Sequence, residues 1–325
     1  MRSHPGQKPR RILRRLAWLP VAVAVVAALS FVVNRMMADK RAVTIRTIGT
    51  ASSGTHTFDG TLRLAAFNIA HGRGTNDSNW SSAAERRSRL IAIADLLKEE
   101  QIDIAVLNEV DFSACWTSHE NQAEIIAECA GFPFVVEQRN LDLAVPFARL
   151  RFGNAILSRF PVVSARLLNL PSLSSWEWRL AGGKKGMTAD IDLGDGTIRV
   201  CAVHWEHRDE PTRIASARVV ANAARESPFP FICMGDFNSP LTIRNGDESE
   251  AHTPTALDTL INSGLFQHRA DAEQAPEQFT FASYHPRVTI DWVLIPASWE
   301  FVTYRVQPVQ LSDHRPVFAE IRRKE

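Results

Sequence analysis

Residues 228–240 read PFPFICMGDFNSP, and the interpretation of this stretch governs the rest of the chain. Phe229, Phe231, Ile232, Cys233 and Met234 make a short apolar run of the kind that forms a buried strand. The run ends at Gly235-Asp236-Phe237-Asn238, and Ser239-Pro240 opens a turn. An acid and an amide thus leave a strand end together, with Gly235 allowing another backbone or a ligand to come close. Asp236 supplies charge and accepts protons; Asn238 supplies a donor and an acceptor that do not titrate. That pairing suits a phosphate and an attacking water, and it equally suits an Asx turn that caps the strand. The other strand ends decide between the two.

Working outward, residues 62–67 read as a strand that delivers Asn68, followed by the glycine-punctuated loop His71-Gly72-Arg73-Gly74. Ser82 and Glu85 form a capping-box pattern before a helix with Leu90, Ile93, Ala94 and Leu97 on one face. Residues 104–107 are the next strand, ending in Asn108-Glu109. A helix over about 118–130 stops at Gly131. Residues 134–137, 154–158 and 162–170 are strand-like, with Arg139, Arg149 and Arg151 in an intervening loop. Residues 171–185 form a second loop, carrying Trp176, Trp178, Arg179, Lys184 and Lys185. Strands 187–193 and 198–203 are joined through Asp195-Gly196, a hairpin signal, and the second delivers His204. Pro211 opens a helix to about Arg225, residues 255–263 form another, and strands at 289–295, around Tyr304 and at 316–321 close the chain. Hairpins mixed with crossover helices exclude a purely parallel or purely antiparallel sheet. Two packed sheets with helices outside, in one domain over residues 58–325, fit best.

Charge is distributed unevenly. Of 37 Lys/Arg and 36 Asp/Glu, residues 1–57 hold ten basic side chains and a single acid, Asp39, so the body carries a net charge of −8. A broad basic face for duplex nucleic acid is therefore not expected, whereas a narrow phosphate site governed by a bound cation is compatible with an acidic body. Arg10, Arg11, Arg14 and Arg15 precede an uncharged, mostly apolar run over residues 16–33. As a helix it would rise about 27 Å, close to a bilayer's hydrocarbon thickness. The flank predicts a cytoplasmic N-terminus (residues 1–15), a membrane-spanning anchor at 16–33 and a body on the far, extracytoplasmic side. Ala28-Leu29-Ser30 also resembles a signal-peptide cleavage site, the rival reading. Residues 34–57 then read as a linker, although 42–48 alternate as a short strand would. Cys115, Cys129, Cys201 and Cys233 show no zinc-like spacing; Cys201 and Cys233 sit in apolar strand runs as small hydrophobes, and Cys115 and Cys129 could bridge a loop to a helix end.

Asn68, Glu109, His204, Asp236, Asn238, Asp291, Asp313 and His314 lie mostly at or just past apolar strands, so a sheet can gather them into one cleft. Each alone is as readily structural. The segments Phe67-Asn68-Ile69, Asn108-Glu109-Val110, Gly153 to Ser158, Val203-His204, Gly235 to Asn238, Ile290-Asp291-Trp292 and Ser312-Asp313-His314 are ordered as in one family. In them the chain resembles the endonuclease/exonuclease/phosphatase superfamily, over residues 62–321. The resemblance implies a four-layer α/β sandwich and a divalent-metal phosphoesterase using Mg2+ or Mn2+. It implies Glu109 as the principal metal ligand, helped by Asn68 and Asp313. Asp236 and Asn238 would position water and phosphate, Asp291 would orient His314, and His204 would contact the phosphate. Deoxyribonuclease-like members pair the His204 counterpart with a glutamate near the Asn154 strand; Arg151-Phe152 stand there in this chain. His71 belongs either to the site's edge or to loop packing, and His207 with His204 makes an HxxH that lacks a third zinc ligand.

The expected function is hydrolysis of a phosphodiester in a small molecule or lipid head group, with Trp176 and Trp178 either facing the substrate or packed on the core. The alternatives are a nuclease with a metal-dominated cleft and a non-catalytic, membrane-tethered binding protein of the same fold. No stable protein partner is expected.

Overall fold

The computed structural model describes residues 18–37, 43–49, 56–75, 81–145, 148–173, 184–241, 254–269 and 276–324. Helix α1 (Leu19–Met37) comes first, and Val21, Val25, Leu29 and Val32 lie exposed on it. Among the described residues no helix is long and apolar enough to cross a membrane. The expected span at 16–33 thus gains no support from the fold, and its basic flank lies outside the described residues. Residues 43–47, within the expected linker, form strand β1 (Val43–Thr47).

Two parallel strand–helix–strand units are the frame of the cleft. In the first, β2 (Thr61–Asn68) leads through α2 (Ala83–Glu99) to β3 (Ile104–Ala114), with Leu64 to Asn68 beside Ile104 to Asn108. Ser82 caps α2 through the expected reciprocal box with Glu85, satisfying backbone donors that the first turn leaves open. In the second, β8 (Thr197–His204) leads through α4 (Glu210–Arg225) to β9 (Phe231–Asp236). The helices between them are α3 (Gln122–Ala130) and, later, α5 (Ala256–Ile261). The remaining strands are β4 (Phe134–Val145), β5 (Ala148–Ser158), β6 (Val162–Asn169), β7 (Lys185–Asp192), β10 (Phe266–Gln267), β11 (Asp291–Pro296), β12 (Trp299–Val306) and β13 (Val317–Arg323).

Among the described residues these strands form a seven-stranded sheet, β1-β4-β5-β3-β2-β13-β12, and a six-stranded sheet, β10-β11-β9-β8-β7-β6. The core between them takes Leu62, Leu64, Val106, Ile156, Val200, Ile232, Val293 and Val317, all free of solvent contact. On the outer face of the first sheet, Leu90, Ile93 and Leu97 of α2 and Ile126 of α3 pack over Ala65, Ala105 and Leu157. Val220 of α4 and Leu257 of α5 cover Cys201, Cys233 and Trp292 of the second sheet. Helices, sheet, sheet and helices make the four layers, in which the central strands β2, β3, β8, β9 and β11 are buried on both faces.

Several expected boundaries shift. The third helix begins at Gln122, because Asn121 caps it by accepting from the backbone of Ala123 and Glu124. Arg139, Arg149 and Arg151 sit in the long β4–β5 hairpin, not in a loop, and β3 runs on to Ala114 past a register shift between Leu107 and Val110. Trp176, Trp178 and Arg179 lie outside the described residues. All four cysteines are free thiols: Cys115 and Cys129 exposed, Cys201 and Cys233 buried.

Candidate active site

Strand direction assembles the cleft. In a parallel pair both C-terminal ends share one edge, so Asn68 pairs with Asn108, and His204 with Asp236. Antiparallel neighbours contribute their beginnings at that edge. Asp291, the first residue of β11, lies directly across from Asp236, and the Ser312-Asp313-His314 turn leads into β13 beside the end of β2. Seven of the eight expected residues are thereby drawn into one cleft, and Asp313 stands at its rim.

One buried glycine and one buried amide let the sheets meet. A Cβ on Gly235 would stand 2.2 Å from Val203 O, and its φ of +136° lies where side chains are rarely tolerated. Asn108 uses the room. Its Nδ2 donates to Asn154 Oδ1 (2.8 Å) and to Val203 O (2.9 Å), and its Oδ1 accepts from the backbone of Asp236 (2.9 Å). This fully buried side chain ties the first sheet to the second beneath the cleft.

Asp236, Asp291 and His314 form the deepest group. His314 Nδ1 lies 2.8 Å from Asp291 Oδ2, and His314 Nε2 lies 3.9 Å from Asp236 Oδ2. Burial works against charge on His314, but Asp291 and Asp236 outweigh it and push the imidazolium pKa up to about 10. Burial, reinforced by repulsion from Asp291 and opposed by His314, raises Asp236 to about 7. Asn238 follows with a positive φ of 49°; its backbone N–H donates to Asp236 Oδ1 (2.9 Å), and its Nδ2 donates to Trp205 O (3.1 Å). The Asx turn of the sequence reading is thus present, with Asp236 Oδ2 left facing Asn68 and His204.

Glu109 occupies the other flank, at the register shift, with a φ of +52°. Burial alone would raise its pKa; His71, His204, Lys184 and His314 around it prevail and hold it well below the usual carboxylate range. Asn68 links the flanks, its Nδ2 donating to Glu109 Oε1 (3.3 Å) and Asp236 Oδ2 (3.1 Å) while its Oδ1 accepts from Ala70 N–H (3.0 Å). The Ala70 N–H fixes which way the amide points. His204 Nε2 lies 3.0 Å from Lys184 Nζ and 3.5 Å from Asp236 Oδ2. Burial and then Lys184 lower its pKa well below the ordinary value. Strand β5 brings no acid to His204, as its sequence implies; Lys184, Asp236 and Glu109 stand beside it instead. Asp313 carries an ion pair with Arg73 (3.1 Å), and His207 is exposed beside Glu206, apart from His204.

Three contributors escape sequence reasoning, Asn108, Asp111 and Lys184, whereas His71, expected at the site's edge or in loop packing, stands 3.5 Å from Glu109. Asp111 is two residues beyond Glu109, and its only signal is the continued alternation of Phe112 and Ala114 that extends β3. Lys184 closes the stretch 171–184, whose sequence shows neither a helix nor a strand period.

The donor set suits a hard divalent cation. Glu109 is ionised, a quarter of its side chain is exposed to the cleft, and its neighbours offer carboxylate oxygen and no thiolate. The buried trio of Asp236, Asp291 and His314 also has metal-compatible spacing, but the Asp291–His314 hydrogen bond already occupies the ring nitrogen and carboxylate oxygen that face each other.

Fold and cleft together define a two-sheet α/β protein with carboxylates and histidines gathered at its strand ends. The sequence model of the endonuclease/exonuclease/phosphatase family matches residues 65–314, and the chain belongs to that family, whose members hydrolyse phosphate esters. Similar solved structures include an endonuclease/exonuclease/phosphatase from Beutenbergia cavernae, with 22% identity over 81% of this chain and 72% of that one, TM-score 0.61. A Bacteroides thetaiotaomicron mannosyl-6-phosphatase shares 20% identity over 80% of this chain and 99% of its own, TM-score 0.58. Zebrafish (D. rerio) TDP2, solved with a single-stranded DNA product, shares 13% identity over 81% and 99%, TM-score 0.55. At these identities the likeness is one of fold. Among curated proteins no match was found.

Proposed function

We propose that this protein is a divalent-metal-dependent phosphoesterase that hydrolyses phosphodiesters by in-line attack of water. The observation that carries the reading is the pairing, across Asn68, of a poised buried acid with a permanently ionised one. Asp236, near neutrality, takes up the proton of a water held between it and Asn238. His314, kept charged by Asp291, stabilises the negative charge growing on the phosphoryl oxygens. Lys184, 3.0 Å from His204 Nε2, offers a second cation to the same oxygens. Mg2+ or Mn2+ held by Glu109, with Asp313 at the rim, supplies Lewis-acid charge neutralisation when bound. Asn68 serves the ion through Glu109, whose orientation it fixes; direct ligation through its oxygen would require the amide to turn over against Ala70 N–H.

The full chain is assayed with Mg2+, Mn2+ or chelator on bis-p-nitrophenyl phosphate, p-nitrophenyl phosphate, plasmid DNA and sphingomyelin. Metal-dependent turnover of the diester supports the reading, and preference for plasmid DNA would select the nuclease alternative. Absence of turnover on every substrate, with unchanged metal binding in Glu109→Ala, would leave the non-catalytic binding protein. The location outside the cytoplasm is proposed from residues 10–33 alone; protection of the body from protease added to intact cells would refute it.

A further inference from the structure

Two histidines of the cleft are each backed by an aspartate. His314 with Asp291 is one such pair. On the opposite side His71 Nδ1 lies 2.8 Å from Asp111 Oδ1, and His71 Nε2 lies 3.5 Å from Glu109 Oε2. Asp111 is fully buried, and its other oxygen accepts from Trp116 Nε1 (2.8 Å). Both carboxylate oxygens are thus spent, one of them on fixing the plane of the His71 ring.

The loop is shaped to hold that ring in place. Ala70 and His71 adopt φ of 46° and 54°, a conformation that non-glycine residues keep only when their surroundings enforce it. The enforcement is visible. Gln122 Nε2 donates to the carbonyl of His71 (2.7 Å), Arg86 Nη1 donates to the same carbonyl, and Gln122 Oε1 accepts from the backbone of Asp111 (2.9 Å). Phe152 meets the ring edge-on, with centroids 5.6 Å apart. A histidine that merely fills a loop needs neither a buried carboxylate behind it nor a strained backbone that turns its free nitrogen onto another acid.

We infer that His71 is a positioning residue: oriented by Asp111, it fixes the Glu109 carboxylate from the side opposite Asn68 and so strengthens divalent-metal binding. The inference rests on Glu109 being the carboxylate that holds the ion. Outer partners of a ligating carboxylate restrict its rotation, and their loss costs roughly 10- to 100-fold in affinity.

The test is calorimetric titration of the full chain with Mn2+, together with thermal melting of each variant. His71→Asn and Asp111→Asn are expected to weaken Mn2+ binding at least about tenfold in protein that still melts cooperatively. His71→Gln, whose amide reaches the position of Nε2, is expected to recover part of that loss. Glu109→Ala is expected to lose the site. Wild-type Mn2+ affinity in folded His71→Asn, with binding abolished by Glu109→Ala, would overturn the role of His71 and leave Glu109 as the ligand. Wild-type affinity in Glu109→Ala would overturn the metal reading itself. If His71→Asn does not fold, His71→Gln and Asp111→Asn are judged by the same titration, unchanged affinity in both being the refuting result.

Discussion

On one flank of the cleft Asp236, Asp291 and His314 are at most 5% exposed; Asp291 bonds His314, and Asp236 accepts from Asn68 and Asn238. On the other, Glu109 keeps a quarter of its side chain in solvent and is ringed by His71, His204 and Lys184. The same residue types therefore reach opposite electrostatic states. Dehydration and a neighbouring carboxylate raise Asp236 to about 7, where it can exchange a proton; surrounding cations keep Glu109 ionised, as a ligand for a cation must be. A cleft that is to move a proton and hold an ion needs both environments, and here residues from both sheets build each of them.

The largest expected effect separates the flanks kinetically. Asp236→Ala and His314→Ala should each lower kcat at saturating metal at least about 100-fold, the scale of a lost acid/base or charge-stabilising group. Glu109→Gln should instead displace the curve of rate against Mg2+ concentration to higher metal. Steady-state rates over a metal titration distinguish these outcomes. Identical displaced curves for all three variants would mean that the flanks act as one metal site, and the contrast would fail.

The next effect concerns what joins them. Asn108→Ala removes one side chain from three buried bonds and leaves Asp236 N–H, Val203 O and Asn154 Oδ1 short of a partner. Unpaired buried groups of this kind cost about 1–3 kcal/mol each, so a net loss of about 3 kcal/mol is expected in urea unfolding, with activity falling as well. Gly235→Ala should cost about 2 kcal/mol by the same measurement, since its Cβ would press on Val203 O at a φ that alanine resists. Wild-type stability in both variants would show that the sheets are held in register elsewhere.

The two flanks also differ in how readily they are read from sequence. Asp236, Asp291, His204 and His314 follow or precede short apolar runs, so their common edge follows from strand ends and strand direction. The helices and both crossover units were legible for the same reason, their apolar spacing matching the element formed. Glu109 was found as a strand end, yet it sits inside β3 at a bulge; the strand continues because Val110, Phe112 and Ala114 are buried in turn. Its partners were less accessible. Asp111 and His71 meet across 40 residues through a left-handed loop, and Asn108 acts across the sheet interface. Such contacts are set by backbone geometry that periodicity does not encode.

The smallest effect asks whether a strongly ionised carboxylate is enough to define the metal flank. Asp190 is a second case, far from the cleft on three adjacent strands. It accepts from Arg199 Nε (2.6 Å) and Nη2 (2.9 Å) and from Ser164 Oγ (2.7 Å). Burial opposes the charge, but these bonds outweigh it and lower its pKa below the ordinary 3.8. A carboxyl whose folded pKa is depressed stabilises the fold fully above its unfolded value and ceases to do so as pH falls through the folded one. Asp190→Asn should therefore cost on the order of 1 kcal/mol at pH 7, and the gap between variant and wild-type melting temperatures should close as the pH is taken from about 5 toward 2. Mn2+ affinity and turnover should stay at wild-type values throughout. Asp190 directs its charge to one bidentate arginine and a serine, whereas the groups around Glu109 leave a quarter of that side chain open to solvent, the opening through which the proposed ion would reach it. Loss of Mn2+ binding in Asp190→Asn would show instead that long-range charge, and not the local shell of Glu109, controls the site.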